Sequence, residues 1–233
     1  MRNLARIFLL AVAIESGAMT AHAAADNLVA IDVLLRPDAA MAAKAKALNA
    51  RLRADLPIGF ALDATHVPHI TVLQCYVRAR DLRAVERAVD AVFRRAPPAG
   101  LKLTATGLFN SRVADVAATG IAIRTTPELA RLQRGVADAL APFLRHGGTP
   151  AAFVATPDSE TIRWTVTYVD TFGEKASGAN YAPHVTAGIA HPNFVARLAA
   201  APFAPFDFAT AGAAIYQLGD IGTARKRLWV WRP

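Results

Sequence analysis

A six-residue pattern occurs twice in this chain and limits its possible folds more than any other feature. Val67-Pro68-His69-Ile70-Thr71-Val72 and Ala182-Pro183-His184-Val185-Thr186-Ala187 share proline, histidine and threonine, with small or apolar residues at the other three positions. One His-x-Thr among apolar residues is weak evidence, because a lone histidine on a strand is commonly a packed structural residue. A second copy behind the same proline makes the pair an internal repeat. Side chains alternate along a strand, so His69 and Thr71 point to one face while Ile70 and Val72 anchor the other. Proline needs no ladder donor if it stands at a strand's start, which sets each histidine at the end of a sheet.

The rest of the chain reads as strands and helices in alternation. Leu28 to Leu35 is apolar and β-branched, as expected of a strand buried on both faces, and Pro37-Asp38 opens a helix that runs to about Leu56. The first motif strand covers His69 to Val77. From Asp81, the apolar residues Leu82, Val85, Val89 and Val92 recur at helical spacing until Pro97-Pro98. Leu101 to Phe109 and Ala117 to Arg124 form a hairpin, and Thr126-Pro127-Glu128 starts a helix with a hydroxyl cap, proline at the first position and an early acid. Ser159 to Phe172 fits either period. Pro157, Asp158 and Glu160 before it and Gly173 and Lys175 after it are boundary signals that favour helix. A Gly/Ser/Asn loop from Gly173 to Asn180 then leads to the second motif strand, His184 to Ala190, a short helix at Phe194 to Ala200, and two strands, Ala213 to Leu218 and Arg227 to Trp231, joined at Gly219-Asp220-Ile221-Gly222.

With 233 residues, 54% of them hydrophobic and only 19% charged, the chain can bury a substantial core, which excludes disorder and coiled coil. The formal charge of +8 suits an anionic partner without identifying one. Residues 1–23 read as a secretory signal peptide: basic Arg2 and Arg6, apolar Ile7 to Ile14, and a small-x-small site at Ala21-His22-Ala23. That apolar run is too short to span a bilayer, so residues 24–233 are expected as a single periplasmic or secreted domain with no membrane anchor. Cys75 is the one cysteine, which rules out an intrachain disulfide.

Two motif strands facing across a cleft would offer two imidazoles and two hydroxyls to one small anion. Phosphodiester cleavage without a metal needs that set. One neutral histidine takes a proton from the attacking hydroxyl or water, and the other, protonated, gives one to the leaving oxygen. Threonine hydroxyls can donate to the non-bridging phosphate oxygens.

In these motifs the sequence resembles the two-histidine (2H) phosphoesterase superfamily, which includes bacterial RNA 2′,3′-cyclic phosphodiesterases, 2′-5′ RNA ligase-like proteins and plant cyclic nucleotide phosphodiesterases. The resemblance covers essentially the whole mature chain. It rests on His69 to Val72 and His184 to Ala187, with Tyr216-Gln217-Leu218-Gly219-Asp220-Ile221-Gly222-Thr223-Ala224-Arg225 similar to the family's final hairpin. It implies a bilobal α+β fold, each lobe an antiparallel-rich sheet with outer helices and a histidine strand lining a central cleft. It further implies His69 and His184 as the acid/base pair, Thr71 and Thr186 as phosphate ligands, no cofactor, and a nucleotide or RNA-end substrate taken by a monomer. The reaction so implied is hydrolysis of a cyclic phosphate. 2′-5′ ligation or 2′-5′ cleavage remains open, as does a nucleotide-binding protein without turnover. Ala187-Gly188 departs from the family, where a larger apolar residue often follows the second motif, and the signal peptide is a second departure.

Other residues carry weaker signals. Tyr181 could stack on a base at the cleft mouth. His66 and His191 could be read as metal ligands, yet neither has a cysteine pair, carboxylate cluster or helical His-x-x-x-His beside it. His146 reads as a solvated helix end, and Gly147-Gly148 lacks the Gly-Lys-Ser/Thr of a phosphate loop. Arg78, Arg80, Arg112 and Lys175 read as surface charges within possible reach of phosphate.

Overall fold

The computed structural model describes residues 27–154 and 159–233. The signal-peptide reading and the Pro157 and Asp158 boundary signals lie outside the described residues. β1 (Leu28–Pro37) leads through Asp38, whose carboxylate accepts from Met41 N, into α1 (Ala39–Asp55). β2 (Ile70–Arg78), α2 (Leu82–Arg95), β3 (Lys102–Val113), β4 (Val116–Ile123) and α3 (Pro127–Leu140) follow. α4 (Glu160–Asp170), the short α5 (Phe172–Lys175), β5 (His184–Ala190), α6 (Pro192–Ala200), β6 (Phe206–Leu218) and β7 (Ala224–Val230) complete the order.

All strand pairings are antiparallel, in the order β2-β1-β6-β3-β4-β5, with β7 also on β6. Two sheets therefore share one strand. The first residues of β6, Phe206 to Ala209, pair with β3, whereas Thr210 onward pairs with β1. The mixed α and β fold expected from the sequence is thus observed, its halves joined through β6. β2 and β5, the two motif strands, stand at opposite ends of the strand order and pack against each other without ladder pairing. α2 and α3 pack together with α3 over β2, while α1 lies against β5 and α6 against β3 and β4. No helix among the described residues is long and apolar enough to cross a membrane.

Three boundaries differ from the sequence expectation. β6 begins at Phe206 and not at Ala213: Pro205, Asp207 and Gly212 interrupt the apolar pattern there, and the strand character of Phe206 and Phe208 comes from pairing with β3. The β3–β4 hairpin extends to Val113 and Val116, turning at Ala114 with φ of 55°. The expected loop after Phe172 contains α5 and a single turn of 3₁₀ helix at Gly178–Asn180. Over 159–170 the helix reading holds, capped by Ser159, whose hydroxyl accepts from Ile162 N.

The small Ala187-Gly188 pair has a packing role. Asn49 on α1 is buried and donates to Ala187 O and Phe60 O at 2.8 Å each, and a side chain at Gly188 would press on Asn49 and Leu52. Gly120 on β4 is more tightly held: a Cβ there would lie 2.1 Å from Val185 O and 2.7 Å from Thr186 Cα. That close approach coincides with the register shift that seats β5 against β4 beside the second motif.

Candidate functional site

Both motifs line a single cavity of about 230 Å³, with His69, Thr71, Tyr181, His184 and Thr186 all on its wall. Each histidine sits where its proline predicts: His184 is the first residue of β5, and His69 immediately precedes β2. The apolar faces of the motifs are buried as expected, with Ile70, Val72, Val185 and Ala187 in the main core.

The two imidazoles are held alike. Nδ1 of His69 lies 2.8 Å from Val67 O, and Nδ1 of His184 lies 2.8 Å from Ala182 O. A carbonyl oxygen only accepts, so in each ring Nδ1 carries the hydrogen and Nε2 is left for proton transfer. Their surroundings then diverge. His69 Nε2 faces Asp32 Oδ2 at 3.3 Å, whereas the His184 ring stacks on Phe109 at 3.8 Å between centroids.

Asp32 is the residue that sequence reasoning passed over. It lies on β1, fully buried, and its Oδ2 also accepts from Thr71 Oγ1 at 2.8 Å and Gln74 Nε2 at 3.0 Å. Thr71 and Gln74 are three residues apart yet reach the same carboxylate because β2 shifts register opposite Val33/Leu34. The signal available was the one charge in the apolar run from Leu28 to Leu35, since a buried carboxylate persists only where it is paired.

These surroundings push the two histidines in opposite directions. Burial works against the charged form of His69, but the Asp32 hydrogen bond and charge overcome it and raise its pKa above the ordinary value. Burial also works against charge on His184. There, the hydrogen bond to Ala182 O only partly offsets it, His69 adds repulsion, and the pKa is lowered.

A family model described as the 2′-5′ RNA ligase superfamily matches residues 37–216, which include both motifs. The chain belongs to the 2′-5′ RNA ligase superfamily. Among solved structures it is similar to E. coli LigT complexed with ATP, at 16% identity and a TM-score of 0.43, over 88% of this chain and 98% of that one. No curated protein matches it in sequence.

Within this superfamily member the paired threonines are not equivalent. Thr186 has no hydrogen-bond partner for its hydroxyl among the described residues, so its proton is available to a ligand. Thr71 spends its one hydroxyl proton on Asp32, which departs from the expected symmetrical pair of phosphate donors. Tyr181 departs from the expected base-stacking role. It is 8% exposed, and its hydroxyl donates to Thr71 O at 2.9 Å, bracing the loop before β5 against β2. The half-buried aromatic side chains on the cavity wall are Phe109, Trp164 and Tyr168. Lys175 contributes a cation to the same wall.

The remaining histidines among the described residues have other partners. His66 Nε2 meets Arg225 at 2.6 Å with Phe60 stacked on its ring, His191 bonds Asp55 at 2.9 Å, and His146 faces Asp170 at 3.3 Å. Among the described residues no three His, Cys, Asp or Glu side chains gather to hold a metal. Arg112 is turned to Ala114 O, and Cys75 is buried with its thiol pushed up to about 12.

Proposed function

We propose that this protein is a metal-independent phosphodiesterase that opens a cyclic phosphate, on a 2′,3′-cyclic nucleotide or an RNA end. The carrying observation is that two imidazoles, each held at Nδ1 by a backbone carbonyl, share one cavity in different surroundings, His69 beside Asp32, which raises its pKa, and His184 against Phe109, where burial lowers it. Neutral His184 accepts a proton from water as its oxygen bonds to phosphorus. Protonated His69 turns its Nε2 proton away from the long 3.3 Å contact with Asp32 Oδ2 and gives it to the ribose oxygen whose bond to phosphorus breaks. His184 ends protonated and His69 neutral, and exchange with solvent restores both. Asp32 holds His69 in its acid form before the transfer, and Thr186 donates to a non-bridging oxygen.

The test is incubation of purified protein, with EDTA present, with 2′,3′-cyclic nucleotides, 3′,5′-cyclic nucleotides and 2′-5′ dinucleotides, the products being separated by chromatography. Opening of a 2′,3′-cyclic phosphate at a rate indifferent to EDTA is the expected result. Absence of turnover, or turnover that EDTA abolishes, refutes the reading. Preferential cleavage or joining of the 2′-5′ dinucleotide would move the assignment to the other activity that the pair can serve. We also propose that the mature protein is exported. Mass spectrometry of the exported fraction is expected to give an N-terminus near Ala24, and intact Met1 there refutes it.

A further inference from the structure

A phosphate crossing its transition state spreads charge over its non-bridging oxygens, and donors aimed at them provide much of the stabilisation. On the β5 side Thr186 has a free hydroxyl. On the β2 side Thr71 has none to give, because Asp32 holds its proton. The same cavity wall carries Tyr168, from α4.

Tyr168 has the properties of a positioned donor. Its ring lies parallel to Trp164, 9° apart with 5.0 Å between centroids, and meets the edge of Phe172 at 5.7 Å, so it is fixed on two sides. Tyr76 and Tyr181 donate their hydroxyls to Val166 O and Thr71 O, whereas the Tyr168 hydroxyl has no hydrogen-bond partner among the described residues. A phenol so placed ordinarily finds a partner. Burial, then the charge of Asp32, pushes it up to about 12, so it remains a neutral donor through the physiological range. The helix carrying Tyr168 packs on β2, and Tyr76 of β2 bonds Val166 O two residues before it, which sets Tyr168 towards the β2 side of the cavity, where a donor is missing.

The helix that carries Tyr168 is anchored from outside the cavity. Asp220, in the β6–β7 turn, accepts from the hydroxyls of Ser159, Thr161 and Thr165 and from Ile221 N. Tyr76 adds its bond to Val166 O from β2. Donors held this way need no reorganisation when charge develops.

We propose that the Tyr168 hydroxyl donates to a non-bridging oxygen of the bound phosphate, opposite Thr186, in the place that symmetry of the two motifs would assign to Thr71. The inference rests on the phosphodiester reading above. Tyr168 gives up no proton in the reaction and acts only as a hydrogen-bond donor.

Tyr168→Phe tests this, since it keeps the ring and its stacking and removes one oxygen. Two readouts separate the inference from the reading beneath it: kcat on a 2′,3′-cyclic nucleotide as a function of pH, and the Kd of a nucleoside 3′-monophosphate by calorimetry, with melting temperature as the folding control. The variant is expected to lose about 10 to 10³ in kcat with both pH limbs unmoved, by comparison with single oxyanion donors. It is also expected to bind the monophosphate roughly tenfold more weakly or worse. Thr71→Val, in contrast, should shift the alkaline limb, because it disturbs Asp32 and through it His69. Tyr168→Phe within twofold of the parent in both readouts overturns the inference, as does a loss that comes with a shifted limb. An inactive parent whose monophosphate binding weakens in Tyr168→Phe refutes the phosphodiesterase reading and leaves the ligand assignment standing. An inactive parent that binds no monophosphate overturns both.

Discussion

Replacing Asp32 by asparagine should reverse the protonation preference of His69. The substitution is nearly isosteric and keeps an acceptor oxygen for Thr71 and Gln74, so the change is largely one of charge. Opposite charges 3.3 Å apart attract by about 5 kcal/mol at an effective dielectric constant near 20, and burial of the imidazolium takes back several kcal/mol. The balance leaves His69 raised. His184 is the internal comparison: it has the same contact from Nδ1 to a carbonyl but no hydrogen bond to a carboxylate, and although the Asp32 charge acts on it weakly, its pKa is lowered. Without the Asp32 charge, burial is opposed at His69 only by the Val67 hydrogen bond, so its pKa should fall below 6.5 as that of His184 already does. In the parent, activity requires neutral His184 and protonated His69, which gives a plateau bounded below by His184, under 6.5, and above by His69, over 6.5. Asp32→Asn should bring the upper limb below 6.5, lose about 10² to 10⁴ in kcat/KM on the alkaline side, and recover part of it on acidification. Linkage gives a second reading. In the parent, His69 contributes stability that is complete below 6.5 and is lost as pH rises through its elevated folded value. In the variant that contribution is absent, and protonation in the unfolded state costs stability as pH falls below 6.5. The assays are kcat/KM against pH and NMR titration of the His69 ring. An unmoved alkaline limb, or a His69 ring still protonated above 6.5 in the variant, refutes the reasoning.

Three further outcomes are expected. His69→Ala and His184→Ala should each lower kcat by about 10² to 10⁴, and the double variant should be scarcely worse than the worse single one, since the two act as a unit. Chemical denaturation should separate them, because only His69→Ala strands a buried carboxylate, at about 3–5 kcal/mol; equal stability of the two would count against the Asp32–His69 pair. Thr186→Val should cost about 10 to 10³ in kcat without moving either pH limb, and full activity in that variant would remove the hydroxyl from the site. Gly120→Ala should lower stability by about 1–3 kcal/mol in urea unfolding, since the added carbon would sit 2.1 Å from Val185 O; an unchanged midpoint would mean that β4 and β5 separate freely there.

The parts of the site legible in the sequence were those that depend on local geometry. Proline before histidine, alternation along a strand and duplication of the pattern are sufficient to place His69, His184 and Thr186, and the structure brings them to one wall. What was not legible depends on contacts between distant strands. Asp32 looks like an interruption in an apolar run until β1 is paired with β2, and Thr71 cannot be told from Thr186 until its hydroxyl is seen to point at that carboxylate. Tyr181, expected to stack on a base, bonds a backbone carbonyl instead, while Tyr168, to which the sequence assigns no role, keeps its hydroxyl without a hydrogen-bond partner among the described residues. The first half of β6 was missed because β3, far away in sequence, makes it a strand.

The placement of β2 and β5 at the two ends of the strand order bears on how the molecule acquires its chemistry. The motif histidines belong to strands that are not hydrogen-bonded to each other, so their meeting depends on completion of the ladders through β1, β6, β3 and β4. Such long-range pairings carry a large loop-closure cost and form slowly. Refolding should regain helical signal well before it regains turnover. Neither half on its own, nor any intermediate lacking β6, brings both imidazoles to one cavity, so the site is complete only when the last strand docks.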